Sequence, residues 1–333
     1  MGASHASTNP AILVTGGAGY VGSVTVRNLL AEGRQVVVLD DLSRGHREVI
    51  PPGVRFVHGS IADPIALNAA FSGPEQIDSI LHFAAYAYVG ESMTNPGLYF
   101  ANNVGGTINL CREAVRRGVQ RFVFSSSCTV YGIPESCPID ETTPLSPVNP
   151  YGESKRQCEE VIRWMSRSHG FHYALLRYFN AAGAMGDAGE KHHPETHLIP
   201  LAIRAARAEG PGLAIYGGAY PTKDGTPERD YVHVIDLARA HILALDKLQT
   251  DYEMTLNLGS GQASSVLDVV AAIQRTCGQA VPYHVVPRRP GDPPSLVADI
   301  RRAKAVLNWE PLFSSLDRIV MDVWDYLDRT ERR

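Results

Sequence analysis

The sequence has little that would staple or anchor it. Its five cysteines are Cys111, Cys128, Cys137, Cys158 and Cys277. The number is odd and no CxxC pair occurs, which argues for reduced thiols and against a disulfide framework or a structural zinc site. No apolar run approaches the roughly 20 residues that a membrane span needs. The opening "MGASHASTNP" lacks the apolar stretch of a signal peptide. Residues 1–10 therefore read as a short flexible leader, and the protein as cytoplasmic. Charge of either sign is not in excess: 31 Lys and Arg face 35 Asp and Glu, a net of −4. That excludes the basic footprint of a nucleic-acid binder and a polybasic membrane patch. Internal repeats and low-complexity tracts are also missing.

What is present is ordinary for a soluble globular protein, with 44% apolar and 20% charged residues. The 333 residues suit about two domain-sized units. Short apolar, β-branched runs recur in the first half: "AILVT", "QVVVL", "VRFV", "SILHF", "RFVFSS" and "HYALLR". Helix-period segments around 20–33, 98–118 and 150–169 separate most of them. Continuous apolar strands alternating with helices predict a doubly wound parallel sheet covered on both faces, an α/β fold of Rossmann type. Beyond Ala181 the strands shorten, and Gly, Pro and His become more frequent. We read 11–180 as a dinucleotide-binding domain and 181–333 as a smaller α/β substrate domain. Segments near 230–260 are candidates for returning to the first.

"AILVTGGAGYVGSVTVRNLL" is a strand, a glycine turn and a helix. Gly16, Gly19 and Gly22 permit a tight turn and a close approach of backbone to a pyrophosphate, at a helix N-terminus that favours anions. Asp40 ends the next strand, about 20 residues on, where a carboxylate binds ribose hydroxyls and repels a 2′-phosphate. NAD is therefore favoured over NADP.

"NPYGESK" supplies a candidate base. Asn149 suits an N-cap and Pro150 the first helical position. Tyr151 then lies in the first turn, with Lys155 on the same face at i+4. A free phenol has a pKa near ~10. The Lys155 ammonium, the helix N-terminus and the positive ring of NAD⁺ can each lower it. "FVFSSSCTVYG" ends a strand in Ser127, whose hydroxyl can bond a substrate oxygen and the phenolate. Each of these has a bland alternative: a plain βα turn, a surface helix, a polar strand end.

Together the motifs resemble the extended short-chain dehydrogenase/reductase superfamily, and within it the UDP-glucose 4-epimerases. The likeness runs from about Ala11 to Trp309, through "TGGAGYVGS", "LHFAAYAYVGES", "ANNVGGT", "FSSSCTVYG", "NPYGESK", "LRYFNAAGA", "YPTKDGTPERDYVHVIDLARAH", "NLGSG" and "PRRPGDPPSLVADIRRA". It implies Tyr151 as the base at the sugar 4-hydroxyl, Ser127 bonded to the same oxygen, and Lys155 on the nicotinamide ribose. For the cofactor it implies Tyr20, Val21, Asp40, Asp41, Ile61, Phe83, Ala84, Ala85, Asn102 and Phe179. For the UDP-sugar it implies Asn180, Leu198, Tyr216, Arg229, Arg289 and Asp292, and a homodimer built on helices 98–118 and 150–169. Three positions depart from the family pattern. Ser60 replaces an aspartate at the adenine, Ala87 a lysine near the cofactor phosphates, and His197 a substrate-contacting asparagine. Leu296 stands where bulk limits room for a 2-acetamido group.

Alternatives within the family are UDP-xylose/UDP-arabinose and UDP-N-acetylhexosamine 4-epimerases. A 4,6-dehydratase needs an acid-base pair where Cys128 and Thr129 stand. A sensor or scaffold on this fold would often lack the tyrosine or lysine. In "KHHPETH", His193 and His197 have the i,i+4 spacing of zinc ligands, but Pro194 lies between them and no HExxH glutamate occurs. No metal is expected.

Overall fold

The computed structural model describes residues 10–331 except 211 and 290, so the proposed leader, 1–10, lies outside it but for Pro10. Seven parallel strands form the main sheet: β1 (Ala11–Thr15), β2 (Val36–Asp40), β3 (Arg55–His58), β4 (Ile77–His82), β5 (Arg121–Ser127), β6 (His172–Tyr178) and β7 (Glu253–Leu258). Their order is β7-β6-β5-β4-β1-β2-β3, and every pairing is parallel. β1 and β2 are buried at every residue, which is why they read as unbroken apolar runs. Alternate residues still serve opposite faces. Ile12 and Val14 pack into one core with α1 (Tyr20–Ala31), and Ala11 and Leu13 into the other with α2 (Pro64–Phe71) and α3 (Gly106–Arg117).

α4 (Pro150–His169) lies on the same face as α3, through Cys158 and Ile162. The chain then leaves the sheet for a second lobe. This holds α5 (Leu198–Ala206), a parallel strand pair (Leu213–Tyr216 with Tyr283–Val286) and three very short strands, with Glu228–Arg229 at their centre. It returns as α6 (Val234–Lys247), which packs on α1, and as β7, which pairs with β6. It departs again through α7 (Val266–Cys277) and α8 (Leu316–Glu331). The chain thus interleaves its two lobes.

The second lobe has its own core, in which Ile199, Ile203, Ile215, Val269, Ile273, Ile319 and Val323 meet. Each such side chain contributes about 1.5–3 kcal/mol on burial. α7 is framed by a Ser265–Asp268 capping box and by Gly278 in the left-handed conformation, which fixes where this helix begins and ends.

Candidate active site

In a sheet of this order the chain turns opposite ways after β1 and β4, and a crevice opens at their C-terminal ends. A cleft of about 330 Å³ lies there. Gly16, Gly19 and Gly22 follow β1, Asp40 and Asp41 close β2, and Ser60 and Ile61 follow β3. Phe83, Ala84 and Ala85 follow β4, Ser127 ends β5, and Phe179 and Asn180 follow β6. All of these line the cleft, together with Tyr20, Val21, Asn102, Tyr151 and His197.

The glycine turn is built for close approach. A Cβ on Gly22 would stand 2.2 Å from the Gly16 carbonyl oxygen. No side chain caps the first turn of α1, so its N–H groups point to the cleft without a side-chain acceptor. The Asp40 carboxylate accepts hydrogen bonds from Ala18 N and Leu42 N, both at 2.9 Å, which aims it at the crevice. Burial raises its pKa, against those two N–H groups. Uncapped N–H groups, tight glycines and an aimed carboxylate fit a dinucleotide.

The tyrosine helix is placed by its first residues. Asn149 Oδ1 accepts from Gly152 N at 2.8 Å, and Pro150 follows as the first helical residue. Gly152 lets the helix close on the β5 turn, because a Cβ there would meet the Thr129 carbonyl oxygen at 2.6 Å. Deeper in the helix, Glu159 is fully buried and bonds Ser126 Oγ (2.6 Å) and Arg177 (2.6 and 2.9 Å). One carboxylate thereby ties α4 to both β5 and β6. Ser127 Oγ accepts from Thr129 N (3.2 Å) and Thr129 Oγ1 (3.0 Å), which leaves its own proton free to donate.

Lys155 is buried beneath the cleft and does not line it. Its Nζ donates to the Ser125 carbonyl at 2.7 Å and stands 4.7 Å from the Phe124 ring centroid. Burial pushes its pKa down to about 8. Burial pushes the Tyr151 phenol up, Tyr178 adds to this, and Ser127 opposes it. Desolvation dominates at Tyr151, a contribution that the i,i+4 spacing of Tyr151 and Lys155 in the sequence does not show.

Four predicted substrate residues form a separate group in the second lobe. Arg229 pairs with Asp292, and the Arg289 guanidinium lies 3.8 Å from the Tyr216 ring centroid. This group adjoins the cleft through Asp230, next to Arg229, whose carbonyl accepts from the N–H of cleft-lining Asn180 at 2.9 Å. Leu198 opens α5 directly after His197.

The sequence reading leaves out several lining residues: Arg44, Tyr86, Tyr178, Glu190 and His192. Arg44 binds both Glu91 oxygens (2.6 and 2.8 Å) and lies over the rings of Tyr86 and Tyr88, at 5.5 and 4.8 Å. It straps the loop after β2 to the segment after β4. Its signal in the sequence is a lone cation four residues past Asp40. Glu190 and His192 are brought in by a loop whose path no local pattern specifies. At His197, burial works against a charge, but Glu195 and Glu190 outweigh it and raise the pKa.

Comparison with known proteins agrees with this geometry. The NAD dependent epimerase/dehydratase family matches residues 12–259. A UDP-glucose 4-epimerase of Lacticaseibacillus casei is 47% identical over 318 residues, covering 95% of this chain and 96% of that protein. The crystal structure of UDP-glucose 4-epimerase from Brucella ovis in complex with NAD superposes with a TM-score of 0.92 at 42% identity, over 95% of this chain and 98% of that one. The enzyme from Stenotrophomonas maltophila, with bound NAD and formylated UDP-arabinopyranose, gives 0.93 at 37% identity over 97% and 99%. With its glycine turn, ribose carboxylate, serine and tyrosine helix around one crevice, the chain belongs to the NAD dependent epimerase/dehydratase family.

Proposed function

We propose that the protein interconverts the 4-epimers of a UDP-sugar, UDP-glucose and UDP-galactose first, with NAD as its resident cofactor. The observation that carries this is the convergence of Ser127 and Tyr151, with Lys155 beneath, on the crevice that also holds the glycine turn and Asp40. Gly16, Gly19, Gly22, Asp40, Phe83, Asn102 and Phe179 hold the dinucleotide. Bound NAD supplies one piece of chemistry, the acceptance and return of a hydride.

The chain's own residues do the rest. Arg229 and Arg289 anchor the diphosphate, for which guanidinium forks are suited, and Asn180, His197, Leu198, Tyr216 and Asp292 complete the contacts. Ser127 donates its free proton toward the 4-oxygen. Tyr151 takes the hydroxyl proton as C4 is oxidised and returns it when C4 is reduced on the opposite face. The sugar turns over between these events while the nucleotide stays anchored. Because burial alone keeps Tyr151 protonated, its ionisation has to come from positive charge beside it, that of Lys155 and of the oxidised pyridinium ring. A dehydratase would need an acid-base pair where the cleft presents Cys128 and Thr129.

The protein is a homodimer in this reading, formed through α3 and α4, and it works in the cytoplasm. In support, these helices pack together and expose Ile108 (38%) and Trp164 (62%). The function is tested by incubating purified protein, without added NAD, with UDP-glucose, UDP-xylose or UDP-N-acetylglucosamine, and separating the products by chromatography. UDP-galactose is expected from UDP-glucose. Turnover of UDP-N-acetylglucosamine is expected to be slower, since Leu296 pairs with Arg229 beside the anchored diphosphate. No epimer from any of the three would end the proposal.

A further inference from the structure

The loop 190–197 carries a side-chain cluster of which the proposed reaction uses only His197. It is not helical, so His193 and His197 do not share a face; His192 meets His197 instead, with ring centroids 5.2 Å apart. Glu190 Oε1 lies 2.7 Å from His192 Nδ1, and Glu190 Oε2 lies 3.7 Å from His197 Nδ1. One ligand atom from each of these three residues lies within 4.8 Å of the others. All three residues line the cleft.

Two buried carboxylates belong to or adjoin this cluster. The Glu190 and Glu195 side chains are only 8% and 4% exposed. Among the described residues they form ion pairs only with His192 and His197, and with no lysine or arginine. Desolvated carboxylates without a fixed cation are costly. His192 Nδ1 is buried with no hydrogen bond of acceptable geometry, and so is the hydroxyl of Tyr88, whose ring packs 4.7 Å from the His192 ring. Two imidazoles and a carboxylate side by side make a ready set of ligands.

We propose that Glu190, His192 and His197 bind one divalent transition-metal ion, of which Zn²⁺ is the representative, at the mouth of the cleft. Two imidazoles and a carboxylate suit zinc; magnesium and calcium take oxygen ligands. Three protein ligands leave at least one coordination position, as in zinc sites that keep an exchangeable ligand. That position faces the cleft, because all three residues line it. The metal site does not rest on the proposed reaction.

The test uses NAD-loaded protein freed of metal by a chelator. It is titrated with ZnCl₂ by calorimetry, and with Co²⁺ by visible absorption, in wild type and in His192→Ala, His197→Ala and His193→Ala. His193 is an exposed neighbour outside the cluster. One Zn²⁺ per chain is expected in wild type and His193→Ala. Loss of an outer-shell partner already costs about 10–100-fold in affinity, so His192→Ala and His197→Ala should bind more than about tenfold more weakly. Retained NAD in each variant reports that it is folded. The absence of stoichiometric binding to wild type, or equal affinity in all four proteins, overturns the site. Epimerisation is assayed separately, so an inactive protein that binds zinc, or an active one that does not, tells the two proposals apart.

Discussion

At the scale of single residues the site is governed by burial. Tyr151 and Lys155 are both buried, and burial moves each toward its neutral form. Neither is poised alone; each needs charge brought by its surroundings. Tyr151→Phe keeps the ring that packs edge-on to Tyr99 at 6.4 Å and removes only the hydroxyl. It should retain NAD, measured by release on denaturation, while turnover falls by about 10²–10⁴-fold, the usual worth of a positioned acid-base group. Turnover near the wild-type rate would remove Tyr151 from the mechanism. Tyr151 and Lys155 stand out in the sequence because their i,i+4 spacing is local, and Ser127 because it closes an apolar strand; Tyr151 and Ser127 both line the cleft. The sense of the Tyr151 shift was not legible there, since desolvation depends on how residues from β5, β6 and α4 close over it.

At the scale of elements, two ties hold the site in shape. Glu159 pins α4, and with it Tyr151, to the ends of β5 and β6. The pull of Arg177, Ser126 and Arg163 exceeds the cost of burial and lowers its pKa. A folded-state pKa below the unfolded one means stability that is full above the unfolded carboxylate pKa, about 4.3, and is lost as pH falls through the folded value. Glu159→Gln leaves Arg177 buried beside a neutral amide. It should cost about 3–5 kcal/mol at pH 7, and its urea midpoint should fall less steeply than that of wild type between pH 6 and pH 3. Parallel pH dependences in the two proteins would show that Glu159 carries no linked proton.

The second tie is the Arg44–Glu91 strap across the cofactor end of the cleft. Arg44→Ala should speed the loss of NAD on dialysis by roughly fivefold, the equivalent of about 1 kcal/mol for a partly exposed, two-pronged pair. An unchanged rate would show that the strap does not retain the cofactor. Ala87 had suggested a lost cation near the cofactor phosphates. Arg44 lines the same cleft, but the partners that reveal its place, Glu91 and two tyrosines, lie more than forty residues away. No local pattern could join them.

At the scale of the molecule, the parallel sheet was legible because strands buried on both faces leave unbroken apolar runs. The two-residue strands of the second lobe were not. They carry too few residues to show a period, and they are set by pairing between distant segments. The homodimer is tested through Trp164, which stands out from α4 with Arg167 over its ring, at 5.3 Å. If α3 and α4 form the interface, Trp164→Glu places an unpaired charge in it. The variant should elute as a monomer at concentrations where wild type is a dimer, since central aromatic anchors are worth about 2 kcal/mol or more. Identical elution of the two would move the interface elsewhere.

The position of β7 bears on how such a chain can be made. Until residue 258 has left the ribosome, β6 ends the nascent sheet with its outer backbone groups unpaired, an open template for any other strand. Cutting the gene after the first lobe would therefore not yield a free-standing cofactor module. It would yield a sticky fragment, which adding Glu253–Leu258 back as a peptide should quieten.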